Sequence, residues 1–146
     1  MAAGTFTFYQ SFREWMAEGT FDLNSDAFKI SLHASTYTPS VSAHTVYADL
    51  TNELATANGY TNGGATLTSV TWIRSAGTVT FSAAATVWTA SGGSITSRTA
   101  VVRKSGTANT RVDALVGYFL LDSTPADVTV TSGNTLTITP PYFSLS

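Results

Sequence analysis

The chain is 146 residues long, enough for one domain whose core buries roughly 68–70% of the unfolded surface without a metal or disulfide staple. It contains no cysteine, which excludes a disulfide scaffold, a thiol nucleophile and a thiolate metal site. Only 11% of residues are charged and the net charge is −2, so the chain as a whole has no attraction for nucleic acid or an anionic membrane.

Polarity comes instead from 26 threonines and 17 serines. Threonine is β-branched and fits a pleated, half-exposed surface, so this composition predicts a β-rich fold. The opening stretch "MAAGTFTFYQSFREW" has neither a basic n-region nor a continuous apolar core, and no window approaches the 18 or so apolar residues of a membrane span. The expectation is a soluble chain made and assembled in a cytoplasm.

Phe8, Phe12, Trp15 and Met16 recur at helical spacing and predict a helix over about 8–18. Thr7 and Gln10 fit a capping box at its start, and Gly19 suits a left-handed residue at its end. The aromatic face either anchors this helix to a sheet or serves as an N-terminal arm docked on another subunit. From Phe28 the period becomes two, with Phe28, Ile30 and Leu32 facing one way and Lys29, Ser31 and His33 the other, as in a half-buried strand. A second short helix is expected from Asp49, capped by its carboxylate, to Ala57 before Asn58-Gly59. Strands then follow at about 65–73, 77–82, 94–104, 111–121, 127–131 and 135–139, with "ALVGYFLLD" apolar enough on both faces to be central. Pro140-Pro141 interrupts the ladder and "YFSLS" resumes it. Many short strands at this spacing predict a sandwich or barrel, and no repeat or composition shift divides residues 1–146.

Few motifs carry chemistry. "NGYTNGGATL" has the glycines of a phosphate loop but no lysine, and a strand rather than a helix follows, so it reads as a corner. "DLNSD" has oxygen ligands at alternate positions, yet Ala27 and His33 stand where a calcium loop needs glycine and glutamate, so it reads as an Asx turn. His33 and His44, eleven apart, make no zinc motif and no serine elbow accompanies them; both are expected at the surface. No carboxylate pair is marked out by its neighbours, so nothing points to catalysis, a metal or a cofactor. Tyr37, Tyr47, Tyr60, Trp72 and Trp88 could line a sugar-binding face or subunit interface, although alternation puts Trp72 in the core and the following turn puts Trp88 at a sheet rim. Residues 1–73 carry two basic and six acidic side chains, and residues 74–146 carry five and three. Arg98, Arg103, Lys104 and Arg111 fall within fourteen residues, forming either a patch for an acidic partner or a solvated strand edge.

Four stretches carry a wider pattern: "GTFDLNSDAFKISL" at 19–32, "STYTP" at 35–39, "DLTNELATANGYTNGGATL" at 49–67 and "VWTASGGSITSRTAVV" at 87–102. With these the chain resembles, from its helix to its last strand, a family of small structural proteins encoded among the morphogenesis genes of tailed bacteriophages and prophages. It departs from them in its ending, "TPPYFSLS". The resemblance implies a mainly β fold, a jelly-roll-like antiparallel β-sandwich with residues 1–18 as an N-terminal arm or helix and one further short helix. It implies a virion protein that decorates or cements the outside of the capsid, bound to the major capsid protein and commonly a homotrimer, with no catalytic residue and no cofactor. Expected capsid or subunit contact residues are Phe8, Phe12 and Trp15 in the segment Met1 to Trp15, Tyr60 and Trp88, and Arg98, Arg103, Lys104 and Arg111 in the basic run. Some relatives have tail or fibre roles, and the alternative is a tail-associated or receptor-binding module holding host glycans on Tyr60 and Trp88.

Overall fold

A computed structural model describes residues 2–146; Met1, the first residue of the expected contact segment, lies outside the described residues. In chain order the elements are β1 (Thr7–Phe8), α1 (Gln10–Ala17), β2 (Phe28–His33), a 3₁₀ turn (Tyr47–Asp49), β3 (Ala65–Thr66), β4 (Thr71–Ser75), β5 (Thr78–Ser82) and β6 (Thr86–Thr89). There follow β7 (Ile95–Ser97), β8 (Thr99–Lys104), β9 (Thr107–Ala108), β10 (Arg111–Val112), β11 (Leu115–Leu120), β12 (Val128–Val130), β13 (Thr135–Ile138) and β14 (Phe143–Leu145). All pairings are antiparallel.

The main sheet runs β1-β11-β8-β2-β3, and a three-stranded sheet, β14-β5-β4, packs across one of its faces. Strand alternation divides β2 and β8 between two cores. Phe28, Ile30, Leu32, Ala100 and Val102 join the larger core, where Phe28 meets Phe81 of β5 edge-on at 5.1 Å. Val101 of β8 and Leu115 of β11 point to the opposite face, where Tyr9, Tyr37, Leu50 and Tyr118 cover them. The central strands are therefore buried on both sides, and β8 has no exposed residue. This corrects the expectation of a half-buried β2: Ser31 and His33 are 0% exposed because the irregular chain between β2 and β3 lies over them. Two long-range antiparallel pairs, β6 with β13 and β7 with β12, complete a mainly antiparallel β-sandwich.

Helix α1 starts later than expected. Thr7 is consumed in β1 opposite Tyr118, so there is no capping box; Tyr9 is the N-cap and makes no side-chain cap bond. The C-terminus follows the Schellman pattern, with Gly19 N–H to the Met16 carbonyl, Thr20 N–H to the Trp15 carbonyl, and Gly19 at φ 77°. Of the aromatic stripe, Phe12 is fully buried between Phe8 (5.3 Å) and Phe21 (5.0 Å), while Trp15 and Met16 are half-buried. The helix is pinned to its own sheet.

No helix spans 49–57. Asp49 does cap, but backward: its carboxylate accepts from Thr45 N–H at 2.8 Å and Val46 N–H at 3.0 Å, closing the 3₁₀ turn that ends at Asp49. The chain beyond it hugs the edge of β2, with Ala34 N–H to the Asn52 carbonyl and Leu54 N–H to the Leu32 carbonyl. Those bonds satisfy an edge that β3 covers only at Lys29 and Ile30. The "NGG" run is a corner as expected, and Gly64 is fixed by space as well as by its φ of 74°: a Cβ there would overlap the Ile30 carbonyl.

Candidate functional site

Most of the side chains with chemical potential are used inside the fold. Glu53 anchors a polar cluster at the β2 edge: Oε1 accepts from Tyr60 Oη–H at 2.6 Å and Gly63 N–H at 2.7 Å, and Oε2 accepts from Tyr47 Oη–H. Tyr60 Oη in turn accepts the otherwise free Leu32 N–H at 3.0 Å. Burial, followed by the neighbouring Glu53, pushes the Tyr60 phenol upward and raises Tyr47 to about 12, so both hydroxyls stay protonated donors. The Arg103 guanidinium lies 3.7 Å over the Tyr47 ring and donates from Nη2 to the Gly63 carbonyl at 2.8 Å. Sequence reasoning passed over Glu53; its signal was a lone acid at the head of the otherwise uncharged stretch "ELATANGYTNGG".

His33 is a buried structural residue rather than a surface one. Its Nδ1–H donates to the Thr51 carbonyl at 2.9 Å, which leaves Nε2 to accept from Ser31 Oγ–H at 3.0 Å. The pair has the reach of a nucleophile and its base, but both side chains are fully buried and no substrate can approach. Burial holds the His33 pKa below its usual value. The unfolded chain, titrating near 6.5, therefore binds a proton that the folded chain refuses, so stability falls as pH drops below about 6.5. Unfolding free energies from urea titrations between pH 7.5 and 5 should decline with a limiting slope of about 1.4 kcal/mol per pH unit, and His33→Asn should flatten that decline.

The basic run does not form a patch. Adjacent residues of a strand face opposite ways, so Arg103 lies under the cover over the sheet while Lys104 pairs with Asp26 at the Asx turn. That turn is as expected, with Asp22 accepting from Asn24 and Ser25 N–H. Arg98 pairs with Asp127 at 2.8 Å on the surface, a contact of small net energy. Tyr60 and Trp88 are 2% and 6% exposed and pack together at 6.1 Å, which removes from the surface the rings on which glycan binding was to rest. Tyr37 is buried too, and Trp72, half-buried, packs on Phe143 at 6.1 Å.

Two of the expected contact residues do meet at the surface. Arg111, on β10, stacks 4.3 Å over the half-buried Trp15 ring, with Nη2 2.6 Å from Glu18 and Nη1 donating to Thr20 Oγ1 at 3.1 Å. Beside it Val112 is 56% exposed, and a groove of about 360 Å³ separates Val46–Ala48 from residues 110–113. Asp113, at the end of this hairpin, is held by Gly106 N–H at 2.7 Å. The β9–β10 hairpin therefore carries, on successive residues that face opposite ways, a cation clamped on an aromatic ring and an uncovered apolar side chain, residue types suited to contact with another protein. Among the described residues no group of three histidines, acids or cysteines is placed to hold a metal, and no helix is long and apolar enough to cross a membrane.

Fold and surface together define a mainly antiparallel β protein of sandwich type carrying a candidate interaction surface. No family model, curated protein or solved structure matches the chain in comparison.

Proposed function

We propose that the protein is a decoration or cement component of a bacteriophage head, binding the outside of the assembled capsid through the Trp15–Arg111–Val112 surface. The observation that supports this reading is the β9–β10 hairpin: Arg111 is clamped on the half-buried Trp15 ring, and Val112, the next residue of the strand, is 56% exposed. The nature of the partner, a major capsid protein, rests on the sequence resemblance. A trimer would match a symmetric junction of the lattice. Binding only to the assembled shell would stabilise it by mass action, and repetition over many sites makes modest single contacts sufficient.

Purified virions should contain on the order of hundreds of copies per particle, as a component repeated over a symmetric lattice requires. A handful of copies would overturn the assignment. The surface is tested separately by Val112→Asp, an exposed position that leaves the core untouched; binding to expanded heads should weaken at least about tenfold. Unchanged binding would move the contact elsewhere.

A further inference from the structure

Among the strands that end a sheet, β4 is the longest, five residues against four or fewer for the others. Its hairpin with β5 turns on two left-handed residues, Ala76 at φ 48° and Gly77 at φ 84°, so Ser75 and Thr78 close the turn as a hydrogen-bonded pair. Alternation then makes Ile73–Thr80 and Thr71–Ser82 the other bonded pairs, and it leaves the N–H and C=O of Trp72 and Arg74 pointing away from β5. The Phe81 carbonyl agrees: opposite Trp72, it accepts from Tyr142 N–H on the β14 side. No backbone group among the described residues pairs with the outward groups of Trp72 or Arg74. The edge also lacks the devices that keep strands apart, for no proline, glycine or bulge interrupts it. On its solvent face Ile73 is 61% exposed, the most uncovered large apolar side chain among the described residues.

We infer that β4 is a self-association edge: it pairs antiparallel with β4 of a second copy about a two-fold axis at Ile73, joining two three-stranded sheets into one. One register uses all of the free groups. Trp72 then faces Arg74 of the second copy and Arg74 faces its Trp72, each pair exchanging two backbone bonds. Ile73 opposes its own counterpart across the closer, non-hydrogen-bonded position, where β-branched side chains touch. Arg74, which pairs with no carboxylate among the described residues, lies on the same side of the strand as Trp72. Each guanidinium is therefore set beside the indole of the facing strand, and like charges are not directly opposed. A foreign strand would satisfy the backbone equally, but the match of Ile73 with itself and of Arg74 with Trp72 singles out a second copy. The contact uses no residue of the Trp15–Arg111–Val112 surface and stands whether or not that surface binds a capsid. In the trimer proposed above it would tie a copy of one trimer to a copy of the next.

Sedimentation velocity of the full chain should show the mass rising toward twice that of the monomer as concentration is raised through the micromolar-to-millimolar range of a small interface. Ile73→Lys, which sets two ammonium groups against each other on the axis, should hold the chain monomeric while its circular dichroism stays that of wild type. The chain has no cysteine, so Ile73→Cys supplies one thiol per copy. Cα atoms opposed in such a pair lie about 4.5 Å apart, within disulfide reach. Mild oxidation, at a concentration where half of the wild type is dimeric, should link these copies at least about tenfold faster than those of Val87→Cys, a site on β6 that is 52% exposed. A wild type that stays monomeric over the whole range, an Ile73→Lys variant that still dimerises, a mass climbing beyond two copies, or equal linking rates at positions 73 and 87 would each overturn the inference.

Discussion

Phe81→Ala should cost about 3–5 kcal/mol and lower the melting temperature by roughly 8–15 °C. Phe81 is fully buried at the junction of the two sheets: Phe28 meets it edge-on from β2 at 5.1 Å, and Phe143 stacks on it from β14 at 5.1 Å. Tyr142 adds a tilted contact at 6.0 Å. Truncation removes the transfer energy of a whole ring and also leaves a cavity that Phe28 of β2 and the Tyr142–Phe143 pair at the start of β14 cannot close together. The control is Ile73→Ala on β4, 61% exposed, which should change stability by no more than about 0.5 kcal/mol. A loss below about 1 kcal/mol for Phe81→Ala would mean that the sheets do not pack through this cluster.

Glu53→Ala is expected to cost about 3 kcal/mol although its backbone lies in an irregular segment. Three donors converge on its carboxylate: the hydroxyl of the buried Tyr60, the hydroxyl of the half-buried Tyr47 and the Gly63 N–H. Removing the acceptor leaves the Tyr60 proton without its partner in a buried site, and it frees the loop that carries Gly63, to which Arg103 is tied. Glu53→Gln keeps one acceptor oxygen and should recover about half of the loss. A double-mutant cycle with Tyr60→Phe should return a coupling of about 1–2 kcal/mol. Equal stability of wild type and Glu53→Ala would show that the cover over the main sheet is held by its apolar contacts alone.

The strands were readable because each carries its own period. Phe28, Ile30 and Leu32 do point together into one core, and "ALVGYFLLD" does supply a central strand, β11. The alternation could not reveal that the polar face of β2 was also covered, because the cover is an irregular stretch whose hydrogen bonds go to a strand edge rather than to itself. β6 escaped notice for a related reason: it is only four residues long, with Val87 and Thr89 exposed, so its pattern is short and mixed. Asp49 was expected to cap a helix after it and instead accepts from the N–H groups of Thr45 and Val46 before it; a carboxylate can serve either side, and sequence does not give the direction. Spacing within fourteen residues suggested a cationic patch; strand alternation and placement on different elements send those side chains to different partners, Asp127, the Tyr47 ring, Asp26 and the Trp15 ring. Of the candidate surface, Trp15 and Arg111 were identifiable as residues, but their encounter depends on a 96-residue separation that only the fold closes.

The pairing of β1 with β11, Thr7 opposite Tyr118 and Phe8 opposite Gly117, also governs when the molecule can form. Phe6, Phe8 and Phe12 pack on Phe143, within 6.0 Å or less, so the first and last strands complete one another. A chain emerging from the ribosome must keep this aromatic stretch waiting until the strand that carries Phe143 has been made. Closure over such distances is entropically slow, which places folding of this small domain in the millisecond-to-second regime of all-β topologies and leaves the growing chain exposed to self-association until its final strand arrives.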